Sequence, residues 1–595
     1  MNMGTKKIGN FAQNIHDEDY EIPYFSKIAT SSDMIIDTGR DKESLNGFWN
    51  FQIDQYDTCL RSKWYEEKYK SDNGMYLPVD FDFDRWGTIK VPSCWNTQNE
   101  RFYYYEGPAV YTRTFRYINR GEKRVFLKFG AANYEAKVFL NKKYAGMHRG
   151  GSTPFYIEVT GMLEENNRLL VVVDNTRKKE AVPARNTDWF NYGGLYRDVE
   201  LIRLPETFIK DFYISLVPYS GFKKIRVMLE IDGPENNGIA KLEIPKLNLY
   251  EEIKCVNGKA DVEINAEPEL WSPEKPRLYD VKVSYLTDTI QDRIGFREIR
   301  ADKNGIYLNG KRIFLKGVCA HEESVINGKA VTDEEIIENF KLAKEMNCNF
   351  MRLAHYPHTE RAAKIADKMG ILLWEEIPVY WAIDFTNPET YKNAENQLTE
   401  LIKRDRNRAS VIIWSVGNEN ADTDERLQFM SSLARKAKEL DPSRLVSAAC
   451  LVDHTNLMIK DRLVDYLDII GINEYYGWYA PDFNDLIRVF NNSNPQKPVV
   501  ITEFGADALK GARGTVHDLG TEDCQLHIFK MQTETLGKIP FIHGTAPWIL
   551  YDFRCPRRTS ALQLEYNRKG LLSEDKTYKK PAFYVMKEFY ASIKY

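Results

Sequence analysis

The sequence predicts a multidomain protein of β and α/β parts, two β-sandwiches followed by a (β/α)8 barrel. Three observations predict it. Short strands broken by turn residues fill the first half, a strand–helix–strand rhythm takes over after Asn309-Gly310, and two apolar runs in that second half each finish in one glutamate. The changes of rhythm divide the chain at 1–205, 206–299 and 300–595.

In the first segment, residues 47–51, 109–115 and 124–129 are short β-prone runs between turn residues. Residues 137–140 and 144–146 flank Asn141-Lys142-Lys143, which reads as a hairpin turn. Gly150-Gly151-Ser152 and Asp174-Asn175 continue the turn spacing, and a sandwich accommodates this pattern. The runs 224–231, 240–244, 260–264, 278–285 and 293–299 form a smaller unit. Its roughly ninety residues suit an immunoglobulin-like sandwich.

Candidate barrel strands are 313–318, 349–353, 371–374, 411–416, 445–449, 466–472, 498–502 and 546–551. Asp333-Glu334-Glu335 opens a helix with Ile336, Ile337, Phe340 and Ala343 on one face. Leu427, Met430, Leu433, Ala434 and Ala437 make a second stripe of core spacing. Eight strands alternating with helices over about 285 residues have the size and order of a (β/α)8 barrel, whose chemistry sits at the C-terminal strand ends. Glu419 then follows strand four, after Val411-Ile412-Ile413-Trp414-Ser415-Val416-Gly417-Asn418, and Glu503 closes strand seven in Val499-Val500-Ile501-Thr502-Glu503. Two carboxylates on one rim are the minimum equipment for glycoside hydrolysis, one as acid/base and one as nucleophile or base. The alternative is a pair of ion-paired structural glutamates.

Composition narrows the class. With 82 basic against 86 acidic residues, a net charge of -4 and no block of like charge, neither nucleic acid nor a membrane surface is an expected partner. Apolar stretches such as 169–173 are strand-sized, and residues 1–19 lack the apolar core of a secretory signal. Eight cysteines without a C-x-x-C pair read as free thiols of a soluble, cytoplasmic protein. No His/Asp/Glu triplet has ligand spacing, so no metal and no cofactor are expected. Aromatic content of 13% suits a carbohydrate site and equally a β-rich core. Whether the chain forms a homo-oligomer is left open.

Several motifs together carry a resemblance. Asn133-Tyr134-Glu135-Ala136-Lys137-Val138-Phe139-Leu140-Asn141, Gly150-Gly151-Ser152-Thr153-Pro154-Phe155 and Asp188-Trp189-Phe190-Asn191-Tyr192-Gly193-Gly194-Leu195-Tyr196-Arg197 lie in the first segment. With Gly417-Asn418-Glu419 and Thr502-Glu503-Phe504-Gly505 in the last, they are similar to the signatures of glycoside hydrolase family 2. The resemblance spans essentially the whole chain. It implies a jelly-roll sugar-binding-like sandwich, an immunoglobulin-like domain and a catalytic barrel, in that order. It also implies a retaining mechanism with Glu419 as acid/base and Glu503 as nucleophile, their carboxyls about 5–5.5 Å apart. Asn418 would offer its amide to the sugar's 2-hydroxyl. Burial and the charge of Glu503 are expected to raise the pKa of Glu419. Trp548 would floor the pyranose ring, the alternative being a packed tryptophan of the barrel core.

Asn567-Arg568-Lys569-Gly570 is similar to the Asn-x-Lys element by which the family's glucuronide-hydrolysing members hold the C6 carboxylate. An amide and an ammonium suit an acid, whereas a neutral hexose needs neither. Asn473-Glu474-Tyr475-Tyr476-Gly477-Trp478-Tyr479 resembles a further block of those members and puts Asn473, Tyr475 and Tyr479 near the sugar and the nucleophile. Asp188 would bring the sandwich to the sugar hydroxyls. His321 matches a site histidine, although Cys319 and Ala320 depart from the residues usual before it. The implied activity is hydrolysis of β-D-glucuronides, conjugates or glycan ends, by double displacement through a covalent glycosyl-enzyme. A β-galacturonide or β-galactoside is the alternative substrate. A non-catalytic carbohydrate-binding relative is the alternative class, against which the glutamate pair argues. Residues 377–387 carry no long insertion over the site, and Arg557-Arg558 reads either as a second substrate contact or as an ion-paired loop. Glu375, Glu376, Glu474 and Asp552 also fall near strand ends, each a rival carboxylate or a structural partner of Arg352, His355 or a helix end.

Overall fold

The computed structural model describes residues 22, 24–67 and 82–594. Residues 1–19, read above as unlike a secretory signal, lie outside the described residues. Among the described residues the first unit is a sandwich of two antiparallel sheets, of four and six strands. Pro108–Arg116 pairs along its whole length with Asn166–Asp174, and Trp49, Tyr111, Leu127, Val138 and Val171 fill the space between the sheets. The hairpin forms as expected, joining Glu135–Leu140 to Lys143–Arg149. Asn141 and Lys142 at its tip take φ of 49° and 71°, the backbone whose twist matches that of the flanking strands.

The second unit is a seven-stranded sandwich in sheets of three and four. Phe208–Leu216 and Leu249–Cys255 add to the strands read from the sequence. The second escaped notice because Tyr250, Glu251, Glu252 and Lys254 are all exposed, leaving little alternation to see. The last strand is Asp288–Ile294 and not 293–299, since the chain after Ile294 crosses to the barrel. There Arg297 donates to the carbonyl oxygens of Ala409 and Val411.

The barrel follows a small antiparallel sheet formed by Ile299–Asp302, Gly305–Leu308 and Lys311–Ile313. Its parallel strands are, in order, strand one in two pieces (Leu315–Lys316 and Cys319–Ala320), Phe350–Leu353, Leu372–Glu376, Val411–Asn418, Leu445–Cys450, Ile470–Asn473, Val499–Glu503 and Ile542–Thr545. The first piece of strand one pairs with strand eight and the second with strand two, so the ring closes through that split strand. Two expected strands are displaced. Strand six begins at Ile470, because Arg462–Tyr466 forms a 3-10 turn. Strand eight is Ile542–Thr545 and not 546–551, since Pro547 has no N–H to continue a ladder. Residues 546–551 instead carry Trp548 over the rim. Both expected helices form, as Asp333–Glu345 and Asp424–Leu440, with their apolar stripes against the strands. Among the described residues no helix is long and apolar enough to cross a membrane.

Candidate active site

The rims of strands four and seven are irregular in the same way. Between Ser415 and Asn418 strand four carries one residue more than strand five opposite, and between Ile501 and Glu503 strand seven carries one more than strand six. An extra residue interrupts the two-residue alternation and re-aims the side chains beyond it. Asn418 and Glu419, consecutive residues that regular pleating would send to opposite faces, therefore reach the same partner: Asn473 Nδ2 donates to Asn418 Oδ1 at 3.1 Å and to Glu419 Oε1 at 2.8 Å. Glu419 itself has φ 52°, a left-handed backbone that costs a non-glycine residue roughly 1–2 kcal/mol.

Glu503 and Glu419 sit in different company. Arg352, fully buried on strand two, donates to Glu503 Oε1 at 2.7 Å, while the Tyr475 hydroxyl donates to Oε2 at 2.7 Å. The same guanidinium reaches Glu376 at 3.0 and 3.1 Å and Asn418 Oδ1 at 2.7 Å. Burial alone would push the Glu376 carboxyl up, but Arg352 and His355 outweigh it and hold it at about 2. The donors to Glu419 are neutral: Asn473, and Trp381 Nε1 at 2.7 Å from Oε2. Burial first, and the charge of Glu503 second, lift the Glu419 carboxyl to about 7. One carboxylate bound to a guanidinium beside one carboxyl that holds its proton near neutrality is the asymmetry that acid-assisted displacement requires.

Above the pair opens a cleft of about 550 Å³. Trp548 lines it and stacks on His355, with ring centroids 4.8 Å apart. At one end Lys569 Nζ donates to the Tyr479 hydroxyl at 3.0 Å and to Asp507 Oδ1 at 3.4 Å. The rings of Tyr475, Trp478 and Tyr479 surround this ammonium at 5.7, 5.6 and 5.1 Å. Asn567 Oδ1 accepts the backbone N–H of Lys569 at 3.1 Å, and its Nδ2 donates to Asp188 Oδ2 at 3.1 Å. Asp188 arrives from the sandwich and is gripped by Arg558, whose Nη2 donates at 2.5 Å.

Of the residues expected from the sequence, Glu419, Glu503, Asn473, Tyr475, Tyr479, Trp548, Asp188, Asn567 and Lys569 line this one cleft. Asn418 is buried beside them, and its Nδ2 has no protein partner among the described residues. His321 is set back from the cleft surface: its Nδ1 lies 3.1 Å from the Tyr356 hydroxyl and its ring 5.3 Å from that of Trp548. The rival carboxylates have structural partners. Glu375 meets Asp405, Glu474 accepts from Gln532 and the Tyr476 N–H, and Asp552 accepts from Lys580 and Arg568. Sequence reasoning passed over Trp381, although it lies in the short segment 377–387; an aromatic pair, Tyr380-Trp381, just past a strand end was the available signal. Arg352 drew notice only as a partner, its signal being a charge inside the apolar strand Phe350–Leu353.

A closed barrel bearing two unlike carboxyls, with a sandwich reaching into the cleft, defines a glycoside hydrolase. Comparison with known proteins agrees. The family models of "Glycosyl hydrolases family 2, sugar binding domain", "Glycosyl hydrolases family 2" and "Glycosyl hydrolases family 2, TIM barrel domain" match residues 42–205, 207–297 and 299–595. The chain belongs to glycosyl hydrolase family 2. It is 28% identical to a β-glucuronidase of Paenibacillus borealis over 90% of this chain and 95% of that one. To a β-glucuronidase of Streptococcus agalactiae it is 26% identical, over 92% and 96%. Among solved structures it is similar to Bifidobacterium dentium β-glucuronidase complexed with coumarin-3-O-glucuronide, at TM-score 0.82 and 25% identity over 93% of this chain and 97% of that one. The GH2 β-galacturonidase of Eisenbergiella tayi bound to galacturonate gives TM-score 0.81 and 26% identity over 94% and 99%.

Proposed function

We propose that this chain is a retaining β-glucuronidase, with Glu419 as acid/base and Glu503 as nucleophile. The observation that carries the substrate is Lys569: an ammonium almost wholly buried in the same cleft as both glutamates. It has three N–H donors and, among the described residues, spends two, on Tyr479 and Asp507. The third, with the Asn567 amide beside it, is suited to a sugar carboxylate that enters the cleft without its hydration.

In the first step the Glu503 carboxylate attacks C1 while Glu419 gives its proton to the glycosidic oxygen, so the C1–O bond breaks and a glycosyl ester forms. In the second, Glu419, now ionised, takes a proton from water, which attacks C1 and releases Glu503. The buried Nδ2 of Asn418 would donate to the 2-hydroxyl as positive charge develops at C1. Eight cysteines, all buried as free thiols, support a reducing, cytoplasmic setting.

A panel of aryl β-glycosides (glucuronide, galacturonide, galactoside, mannoside) tests the reading directly. Lys569→Ala is expected to lower kcat/KM on the glucuronide by about one and a half to three and a half powers of ten, the usual cost of truncating one partner of a buried charge pair. Residual galactosidase activity would lose far less, having no carboxylate to leave unpaired. An unchanged glucuronide-to-galactoside ratio would overturn the assignment of Lys569.

A further inference from the structure

We propose that Lys580 is a positioning residue for uronic-acid recognition, a second, buried lysine that keeps Lys569 and Asp507 in register from behind the cleft wall. The proposal rests on the uronidase reading above and adds to it a residue that never meets the sugar.

Lys579 and Lys580 are neighbours in the sequence and differ in company. Lys579 is partly exposed and pairs with Glu345 at 2.6 Å. Lys580, at the N-cap of helix Pro581–Ser592, is fully buried and is not among the residues that line the cleft. Its ammonium donates to the Ala508 carbonyl oxygen at 2.7 Å, to Asp552 Oδ1 at 2.7 Å and to the Arg568 carbonyl oxygen at 3.0 Å. An ammonium has three N–H groups, and these acceptors use all of them. Burying a charge is costly, and a well-packed apolar side chain often serves a core as well. What the charge gains here is a hold on two segments at once, the one that carries Lys569 and the one that carries Asp507.

The Arg568 carbonyl belongs to the peptide unit before Lys569. The unit after Lys569 is held as well. Its Gly570 N–H donates at 2.9 Å to Asp552 Oδ1, the oxygen that Lys580 bonds, and its Lys569 carbonyl oxygen accepts the Ile549 N–H at 3.2 Å. Ala508 follows Asp507, whose Oδ1 accepts from Lys569 Nζ, and the Ala508 N–H donates to the Arg568 carbonyl oxygen at 2.9 Å. The fit around this turn is close. A Cβ on Gly570 would lie 2.2 Å from Asp552 N and 2.5 Å from Asp552 Oδ1. Without Lys580, Asp552 keeps Arg568 Nη1 at 3.3 Å as a countercharge, and the Ala508–Arg568 bond remains. The turn then survives with more freedom. A small drift of the Lys569 backbone is enlarged at the end of its four-carbon stem, where a charge-assisted hydrogen bond tolerates little change in length. The loss falls on the C6 carboxylate, because Glu419, Glu503 and Arg352 have none of these partners.

The test is a double-mutant cycle on an aryl β-glucuronide, with Lys580→Met and Asp552→Asn each made alone and on top of Lys569→Ala. Lys580→Met alone is expected to raise KM about ten- to thirtyfold and to keep kcat within about threefold. On top of Lys569→Ala it should cost less than about threefold in kcat/KM, because the ammonium it positions is gone. Asp552→Asn is nearly isosteric and keeps an acceptor for Gly570 while losing the charge. It should show the same pattern at about three- to tenfold in KM, and it carries the test if Lys580→Met does not fold. Equal losses in the two backgrounds would overturn the positioning role and leave Lys580 a staple of the C-terminal helix. A fall in kcat at unchanged KM would do the same. Failure of the underlying reading looks different: wild type would not turn over the glucuronide, or Lys569→Ala alone would leave that turnover intact.

Discussion

Glu419 and Glu503 bear the same side chain, and their surroundings make them different acids. Glu503 meets a guanidinium and a phenol, Glu419 an amide and an indole. A carboxyl lifted to about 7 serves as a general acid only below that pH, so kcat/KM should fall along an alkaline limb as Glu419 loses its proton. The Trp381 hydrogen bond favours the charged form and holds the value down. Trp381→Phe should therefore move the limb to higher pH, read from a pH–rate profile; an unmoved limb would assign it to another group. The same shift has a consequence for stability. A carboxyl whose folded value lies above its unfolded one contributes stability fully present below the unfolded value, lost as pH rises through about 7. Glu419→Gln carries no such cost. It should melt about 1–3 °C above wild type at pH 8 and close to it at pH 4. The two glutamates were legible because each ends an apolar run. The proposed division of labour rests on family resemblance, since the residues that would enforce it, Arg352 and Trp381, come from strand two and from beyond strand three.

Among the elements, the rim of strand four shows why position in a run does not give direction. A regular pleat alternates faces, and only the extra residue between Ser415 and Asn418 brings two consecutive side chains to one network. Gly417 makes this possible: a Cβ there would lie 2.6 Å from Met430 Cε, 2.7 Å from Asn420 Oδ1 and 2.9 Å from the Val379 carbonyl oxygen. Gly417→Ala should displace the strand end and cut kcat by about ten- to a hundredfold, as sub-ångström misplacement of catalytic groups does. The far-UV circular dichroism should stay unchanged, because the helices and the rest of the ladder are untouched. A variant with normal kcat would show that the rim tolerates the shift. The period-based reading located seven of the eight barrel strands and placed the eighth at 546–551 because Trp548-Ile549-Leu550 is the more apolar stretch. The real strand, Ile542–Thr545, contains His543 and Gly544 and owes its place to pairing with strands one and seven. Pairing partners are invisible to periodicity.

For the whole molecule, the rim of the cleft belongs to two domains, because Asp188 lies on the sandwich and its partners on the barrel. The division into sandwiches and barrel was legible from the change in strand spacing; the contact between them was not, since residues far apart in sequence make it. A buried ion pair holds the two together beside the site. Arg197 of the sandwich donates to Glu322 Oε2 at 2.7 Å and to the Pro357 carbonyl oxygen at 3.0 Å, and Glu322 Oε1 accepts the Thr359 N–H at 2.6 Å. Both side chains are nearly inaccessible to solvent, 7% and 2% exposed. Glu322→Ala would leave a guanidinium buried without its countercharge, a loss of about 3–5 kcal/mol. In a chain of several domains this loss falls on the transition that parts them, so a thermal scan should show an earlier first step. The same loosening should raise KM for the glucuronide several-fold by freeing Asp188 from its station. kcat at saturation should be largely kept, because Glu419, Glu503 and Arg352 all belong to the barrel. Equal destabilisation with an unchanged KM would mean that Arg558 and Asn567 keep Asp188 in place without the ion pair.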